Sequence, residues 1–303
     1  MIVFKRHWFV LQKQSKAFRV CKDQVKENEC VVHVDFSENY NCKYSEEIQA
    51  VHFGASHEQA SLHTVVIYSA KNEPVCLCTV SSNLEHSPVG IWAHLKPVLW
   101  YIQHELPYVE HITMWSDGPS TQYKQKNIFF RLCTDPFTYG FKSVSWNYFE
   151  SSHGKGAVDG VGAAVKRLAD AAVHNGTDVN TPWAMFKVVS TASRSVKIFY
   201  IPETYFEDSK NQIPVLKGTR QIHQINCLRP GVISHRRLSC FCTWHNSSDR
   251  LCCCYNPRTF TFADVLPTHS QTIQLGQAES SSLQKRKVGS QPPTSLNKNK
   301  VIL

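Results

Sequence analysis

The sequence has no apolar run approaching the roughly 18 residues that a membrane-spanning helix requires, so no span is expected. Nor does it open as a secretory leader does. In MIVFKRHWFVLQKQ a basic pair interrupts a short apolar stretch, with no h-region and no small-residue cleavage site. A G-x-S-x-G elbow, an H-E-x-x-H helix and a G-x-x-x-x-G-K-[ST] loop are also missing, which removes the simplest serine-hydrolase, zincin and P-loop readings. So are C-x2-C pairs, the common arms of zinc fingers. The expectation is a soluble chain, nuclear or cytoplasmic and not secreted, with no membrane partner.

What is present is ordinary in bulk and uneven in detail. The chain has 303 residues, 42% of them hydrophobic, enough for one large domain or two small ones. Thirty-three Lys and Arg against 24 Asp and Glu give a net charge of +9, which favours an anionic partner. Of the 12 cysteines, five crowd between Cys240 and Cys254. Cys21, Cys30, Cys42, Cys76, Cys78, Cys133 and Cys227 are scattered and read as reduced, small hydrophobes, which fits a reducing compartment.

Periodicity predicts an α/β chain. Residues 29–36 (ECVVHVDF) read as a buried strand, 47–56 as a second, and 61–70 with 74–81 as further β-rich sequence, so three strands precede any helix. Residues 88–106 carry helical spacing that Pro97 should kink or divide. Strand 110–116, helix 121–133, strand 142–149 and a helix from about 156 to 174 follow, the last stopped by Asn175-Gly176. The order is βββαβαβα. Trp92, Trp100, Trp115 and Trp146 sit in apolar patterns and are expected in the core.

Three acids stand at element ends in that order. Asp35 closes VVHVD, Asp117 closes EHITMWSD, and Asp159 opens GAVDGVGAAVKRLADAAV. Two divalent cations about 3.5–4 Å apart need hard oxygen ligands, and carboxylates so placed can supply them. On the last helix Val158, Val161, Val165, Leu168 and Ala172 make an apolar face, leaving Asp159, Ala163, Lys166 and Asp170 opposite. Gly160, Gly162, Ala163 and Ala164 admit either a close nucleic-acid backbone or close helix packing.

The order of elements and acids resembles the ribonuclease H-like catalytic core of DDE transposases and retroviral integrases. The resemblance is most specific over 110–168, where SDGPSTQ and GAVDGVGAAVK look like that family's Asp-turn and its Gly-x-Val-acid opening a Lys-bearing helix. It also extends to a transposon-derived family of animal genomes. It implies a core over 29–175 in which Asp35, Asp117 and Asp159 bind two Mg²⁺ or Mn²⁺ ions for DNA strand cleavage and transfer. This sequence has Asp where integrases have Glu at the third position. A non-catalytic domesticated DNA- or protein-binding protein, and a nuclease without strand transfer, are the alternatives.

Other residues attach to that reading. Glu150, ending WNYFE, is the rival third acid, or else a support for Lys155. His153-Gly-Lys155-Gly, before the helix, offers backbone N–H groups and a cation to a phosphate. Lys166 and Arg167 on that helix, and Tyr123, Lys124, Lys126 and Arg131 after Asp117, are further candidate contacts to DNA; a solvated helix face explains the latter charges equally well.

Residues 1–28 form an N-terminal extension with no visible zinc finger or helix-turn-helix. The region 176–265 is expected to be small, with strands at 195–201 and 213–217 and a structural zinc on Cys240, Cys242, Cys252 and Cys254 beside His245. Residues 266–303 are polar and basic, and are expected to be disordered. A DNA-reading module is then either the Cys-rich segment or part of a longer protein. Oligomerisation with further copies stays open.

Overall fold

A computed structural model describes residues 2–46, 58–119, 121–150, 156–206, 213–242 and 254–262. It opens with a helix, α1 (Ile2–Asp23), where no helix was expected ahead of the strands. Then come β1 (Glu29–Asn41), β2 (Gln59–Ser69), β3 (Val75–Ser81), α2 (Pro88–Glu105), β4 (His111–Ser116), α3 (Lys126–Leu132), a single turn α4 (Asp135–Thr138), β5 (Ser143–Tyr148) and α5 (Ala157–His174). From β1 to α5 the order is the expected βββαβαβα with α4 added. The strand expected at 47–56 lies outside the described residues, and 213–217 is not a strand. Pro97 is buried inside α2 without dividing it.

After α5 come α6 (Pro182–Ala192), β6 (Val196–Ile201), β7 (Gln224–Arg229), β8 (Val232–Arg236) and β9 (Arg258–Thr261). Among the described residues all nine strands form one mixed sheet, β6-β3-β2-β1-β4-β5-β7-β8-β9. The boundary drawn at 175 does not interrupt it, because β6 joins one edge and β7–β9 extend the other.

Alternation along the central strands decides which residue meets which layer. Val32 and Val34 of β1 pack with Ile91, Leu95 and Leu99 of α2 on one face. On the other, Leu62 and Val66 of β2 meet Val158, Val161 and Val165 of α5. Val31 and Trp115 sit under α1 with Cys21. Trp92, Trp115 and Trp146 are fully buried, and Trp100 is half-buried against His104.

Candidate functional site

Strand pairing brings the first two acids side by side. β1 and β4 are parallel, and their paired residues run from Glu29 and His111 to His33 and Trp115. Two residues further on stand Asp35, midway along β1, and Asp117, just past the end of β4, and the charge of Asp117 reaches Asp35. β5 runs parallel to β4 as well, so the C-terminal ends of β4 and β5 lie side by side next to the middle of β1, and the C-terminal side of parallel strands is where α/β sheets bind ligands.

Helix α5 brings the third. Asp35 is paired across β2 with Thr64, and a methyl group on Gly162 would lie 2.7 Å from Ser37 Oγ and 3.5 Å from Thr64 Cγ2. Gly162 is therefore a packing glycine, and of the two roles open to it the close approach of helix to sheet is the one observed; Gly160 has open space around it. One turn earlier, Asp159 comes near enough to the middle of β1 for its charge to act on Asp35. Its Oδ2 accepts a 2.7 Å hydrogen bond from the Gly156 amide, closing the first turn of α5.

The electrostatics reflect this convergence. Burial first, and then the charges of Asp117 and Asp159, raise the Asp35 carboxyl to about 7, against partial relief from the Phe36 amide. Burial also raises Asp117 to about 6, opposed by the Lys124 ammonium, and Asp117 Oδ1 is buried without a hydrogen-bond partner. The oxygens of the three acids do not all lie within 4.8 Å of one another. At that spacing no single ion about 2.1 Å from each oxygen could touch all three. Unscreened carboxylates also repel one another.

Glu150 faces elsewhere. Its oxygens meet His7 Nδ1 of α1 at 3.0 Å and His223 Nε2 at 3.1 Å, and its charge acts on Lys124. His223 is held below its ordinary value by burial and then by Lys124, against the pull of Glu150. Lys155, the partner expected for Glu150, and His153 lie outside the described residues.

The basic residues after Asp117 do not form a solvated helix face. Lys124 is buried in a turn before α3, its Nζ 3.4 Å from the Arg220 carbonyl and 5.1 Å from the centre of the Tyr148 ring. Burial lowers it to about 8, although Glu150 and Asp117 both favour its charge. Gly118 makes room for it, since a Cβ there would stand 3.1 Å from Nζ. Lys126 donates to the Ile213 carbonyl at 2.8 Å, and Arg131 pairs with Asp135 at 3.6 Å. On α5, Lys166 is half-buried with Cys78 within its field, and Arg167 is exposed.

Tyr123 is fully buried and links the acids to the opposite layer. Its hydroxyl lies 3.0 Å from His63 Nε2 and is raised by burial and by the charges of Asp35 and Asp117. His63 is itself pushed down to about 3 by burial and is neutral at physiological pH. Periodicity could not find this pair, because 60 residues separate its members.

A separate sulfur site stands beyond β8. The Sγ atoms of Cys240, Cys242 and Cys254 lie within 4.8 Å of one another, with Cys242 and Cys254 at 3.9 Å. Tetrahedral Zn–S bonds of about 2.3 Å place sulfurs about 3.8 Å apart, so this trio is suited to a metal such as zinc. Gln224 of β7 brackets the Cys240 backbone, accepting from its amide at 3.2 Å and donating to its carbonyl at 3.4 Å. Phe241 packs 6.0 Å from Trp115. Cys252 and His245 lie outside the described residues.

No described helix is long and apolar enough to cross a membrane. No curated protein matches the chain. No solved structure matches it either. Residues 14–239 match the model of a family described as a domain of unknown function, DUF8701. That match spans the sheet from β1 through β8 and takes in Asp35, Asp117 and Asp159, and the chain belongs to this DUF8701 family.

Proposed function

We propose that the protein is a ribonuclease H-like, DDE-type transposase relative that performs metal-dependent phosphoryl transfer on DNA. The observation that carries this reading is the charge of Asp117, just past β4, and of Asp159, in the first turn of α5, acting together on Asp35 of the neighbouring strand β1. The element order from β1 to α5 supports it too. Two raised carboxylates side by side are a donor set suited to a hard divalent ion, because binding removes their repulsion and occupies the orphaned Asp117 oxygen.

Asp35, Asp117 and Asp159 would hold Mg²⁺ or Mn²⁺, which when bound supplies Lewis acidity for an attacking water or DNA 3′-hydroxyl and for the leaving oxygen. Without the ion, Asp35 near 7 is partly protonated at neutral pH and so half-committed as a ligand. Lys124 stands beside Asp117 as a buried cation able to meet a substrate phosphate. Glu150, engaged by His7 and His223, does not serve as the third acid. Cys240, Cys242 and Cys254, with Cys252 as the fourth ligand, would hold a structural zinc that ties the segment beyond β8 to α1 and the sheet.

Nicking of supercoiled plasmid in Mn²⁺ tests the reading. The unmodified protein should nick or join DNA, and Asp117→Asn, which removes a ligand charge at nearly constant volume, should lower the rate at least ~100-fold with the fold intact. DNA binding without metal-dependent turnover would instead favour the domesticated binder.

A further inference from the structure

Beside Asp117 lies an open cleft of about 830 Å³ built from five separate segments, one of them Glu150 after β5. The first turns of α1 contribute Arg6, His7 and Phe9, the turn after β4 contributes Gly118 and Lys124, the turn before β7 contributes Arg220, and the end of β8 contributes Arg237. Among the described residues Glu150 is the single carboxylate on its wall, and it is already engaged by His7 and His223. Arg6, Arg220 and Arg237 are exposed, and no ion pair among the described residues involves them. Lys124 forms the floor at 4% exposure. Among the described residues its side chain makes one hydrogen bond, a long one to the Arg220 carbonyl, which leaves donor capacity for a ligand.

We infer that this cleft is a binding site for a single-stranded nucleic-acid segment, with Arg6, Arg220, Arg237 and Lys124 on its phosphates and Phe9 as a stacking face. Three exposed arginines around one mouth, where the one carboxylate among the described lining residues is already engaged by His7 and His223, repel one another, and successive phosphates at strand spacing neutralise such a set better than an isolated anion does. Phe9 is 51% exposed, an unfavourable position for a large aromatic ring unless it is covered by a planar group; Lys13 Nζ lies 5.4 Å from its centre and adds a cation beside it. Gly118 and Lys124 are shared between the cleft and the surroundings of Asp117, so a strand lying here leads to the three acids. The inference deepens the proposed function and rests on it for the fate of the strand, though not for the binding itself.

The test is fluorescence anisotropy of the full chain with a labelled single-stranded DNA oligonucleotide in buffer without added Mg²⁺ or Mn²⁺, over a salt series. Arg220→Gln with Arg237→Gln changes two exposed side chains, and the Arg220 carbonyl that Lys124 meets is unaffected. The double variant should bind ~10-fold or more weakly and show a salt slope shallower by about 1.4, at ~0.7 for each phosphate no longer neutralised. Phe9→Ala should weaken binding severalfold without changing the slope. Binding equal to that of the unmodified protein in the double variant overturns the inference, as does no binding by the unmodified protein or displacement of the oligonucleotide by polyglutamate at equal charge. If the strand binds through the cleft and is never cut in Mn²⁺, the phosphoryl-transfer reading falls while the cleft stands. Cutting that persists with the double variant's binding unchanged does the reverse.

Discussion

Gly162 of α5 and Ser37 of β1 touch with no space for a methyl group: a Cβ on the glycine would stand 2.7 Å from Ser37 Oγ and 3.0 Å from its Cβ. This close approach sets the distance between the helix bearing Asp159 and the strand bearing Asp35. Gly162→Ala should therefore destabilise the fold by about 1–2 kcal/mol, with overpacking exceeding the gain in helix propensity. Ser37→Gly in the same chain should recover the greater part of it. Chemical denaturation of the two single variants and the double variant measures the coupling, and additive effects would show that this approach is not what holds the helix.

Asp35 makes stability depend on pH in a direction opposite to that of a salt-bridged carboxylate. Its folded value, about 7, lies above the ordinary 3.8, so the folded state binds the extra proton between the two. Stability is thus lost as pH rises from about 4 to 7, and the loss is complete above 7. Asp35→Asn removes the charge and should stabilise the metal-free protein by about 2 kcal/mol above pH 7, a figure reduced from the full shift because the carboxyl remains partly wetted. The gain should vanish near pH 4. Melting curves across that range check it, and a gain that is constant with pH would contradict a carboxyl raised by burial and by its acidic neighbours.

The same values govern ion binding. A ligand carboxylate must be deprotonated, so affinity for Mn²⁺ should fall as pH drops through 7 and 6, the values of Asp35 and Asp117. Titrations at a series of pH values should show proton release that diminishes above about pH 7.5. A flat profile would mean that neither acid is a ligand.

The sulfur trio gives an independent result. Protein purified without chelator should carry close to one zinc per chain, and Cys240→Ser with Cys242→Ser should remove it. Cobalt substitution should show thiolate charge-transfer bands in the unmodified protein alone. Zinc retained by the double variant would exclude these cysteines as its ligands.

The strand and helix order was legible because the central strands are buried on both faces and α5 has one continuous apolar stripe, patterns that local sequence carries. Asp35 and Asp117 come near each other because each follows a run that pairs in parallel, although β1 continues six residues past Asp35 to Asn41, beyond the strand expected at 29–36. α1 was missed because its partners are distant in sequence: Phe18 and Cys21 pack with Trp115 and Phe149, and buried Gln14 donates to the Tyr148 carbonyl at 2.7 Å and accepts from the Ser239 amide at 2.9 Å, 134 and 225 residues away. Lys124 looked like a helix-surface charge because a turn and a helix differ little in composition, and only the folded chain reveals the space that Gly118 leaves for it. Glu150 likewise found His7 and His223, partners 143 and 73 residues away that no local pattern encodes.

Asp117 and its neighbours are expected to form a divalent-cation site, and calorimetric titration of Mn²⁺ into the full chain above pH 7 measures this directly. Saturable binding is predicted for the unmodified protein, lost in Asp117→Asn and Asp35→Asn and retained in Glu150→Gln. Binding that is absent from the unmodified protein, or that survives Asp117→Asn and disappears with Glu150→Gln, would contradict it.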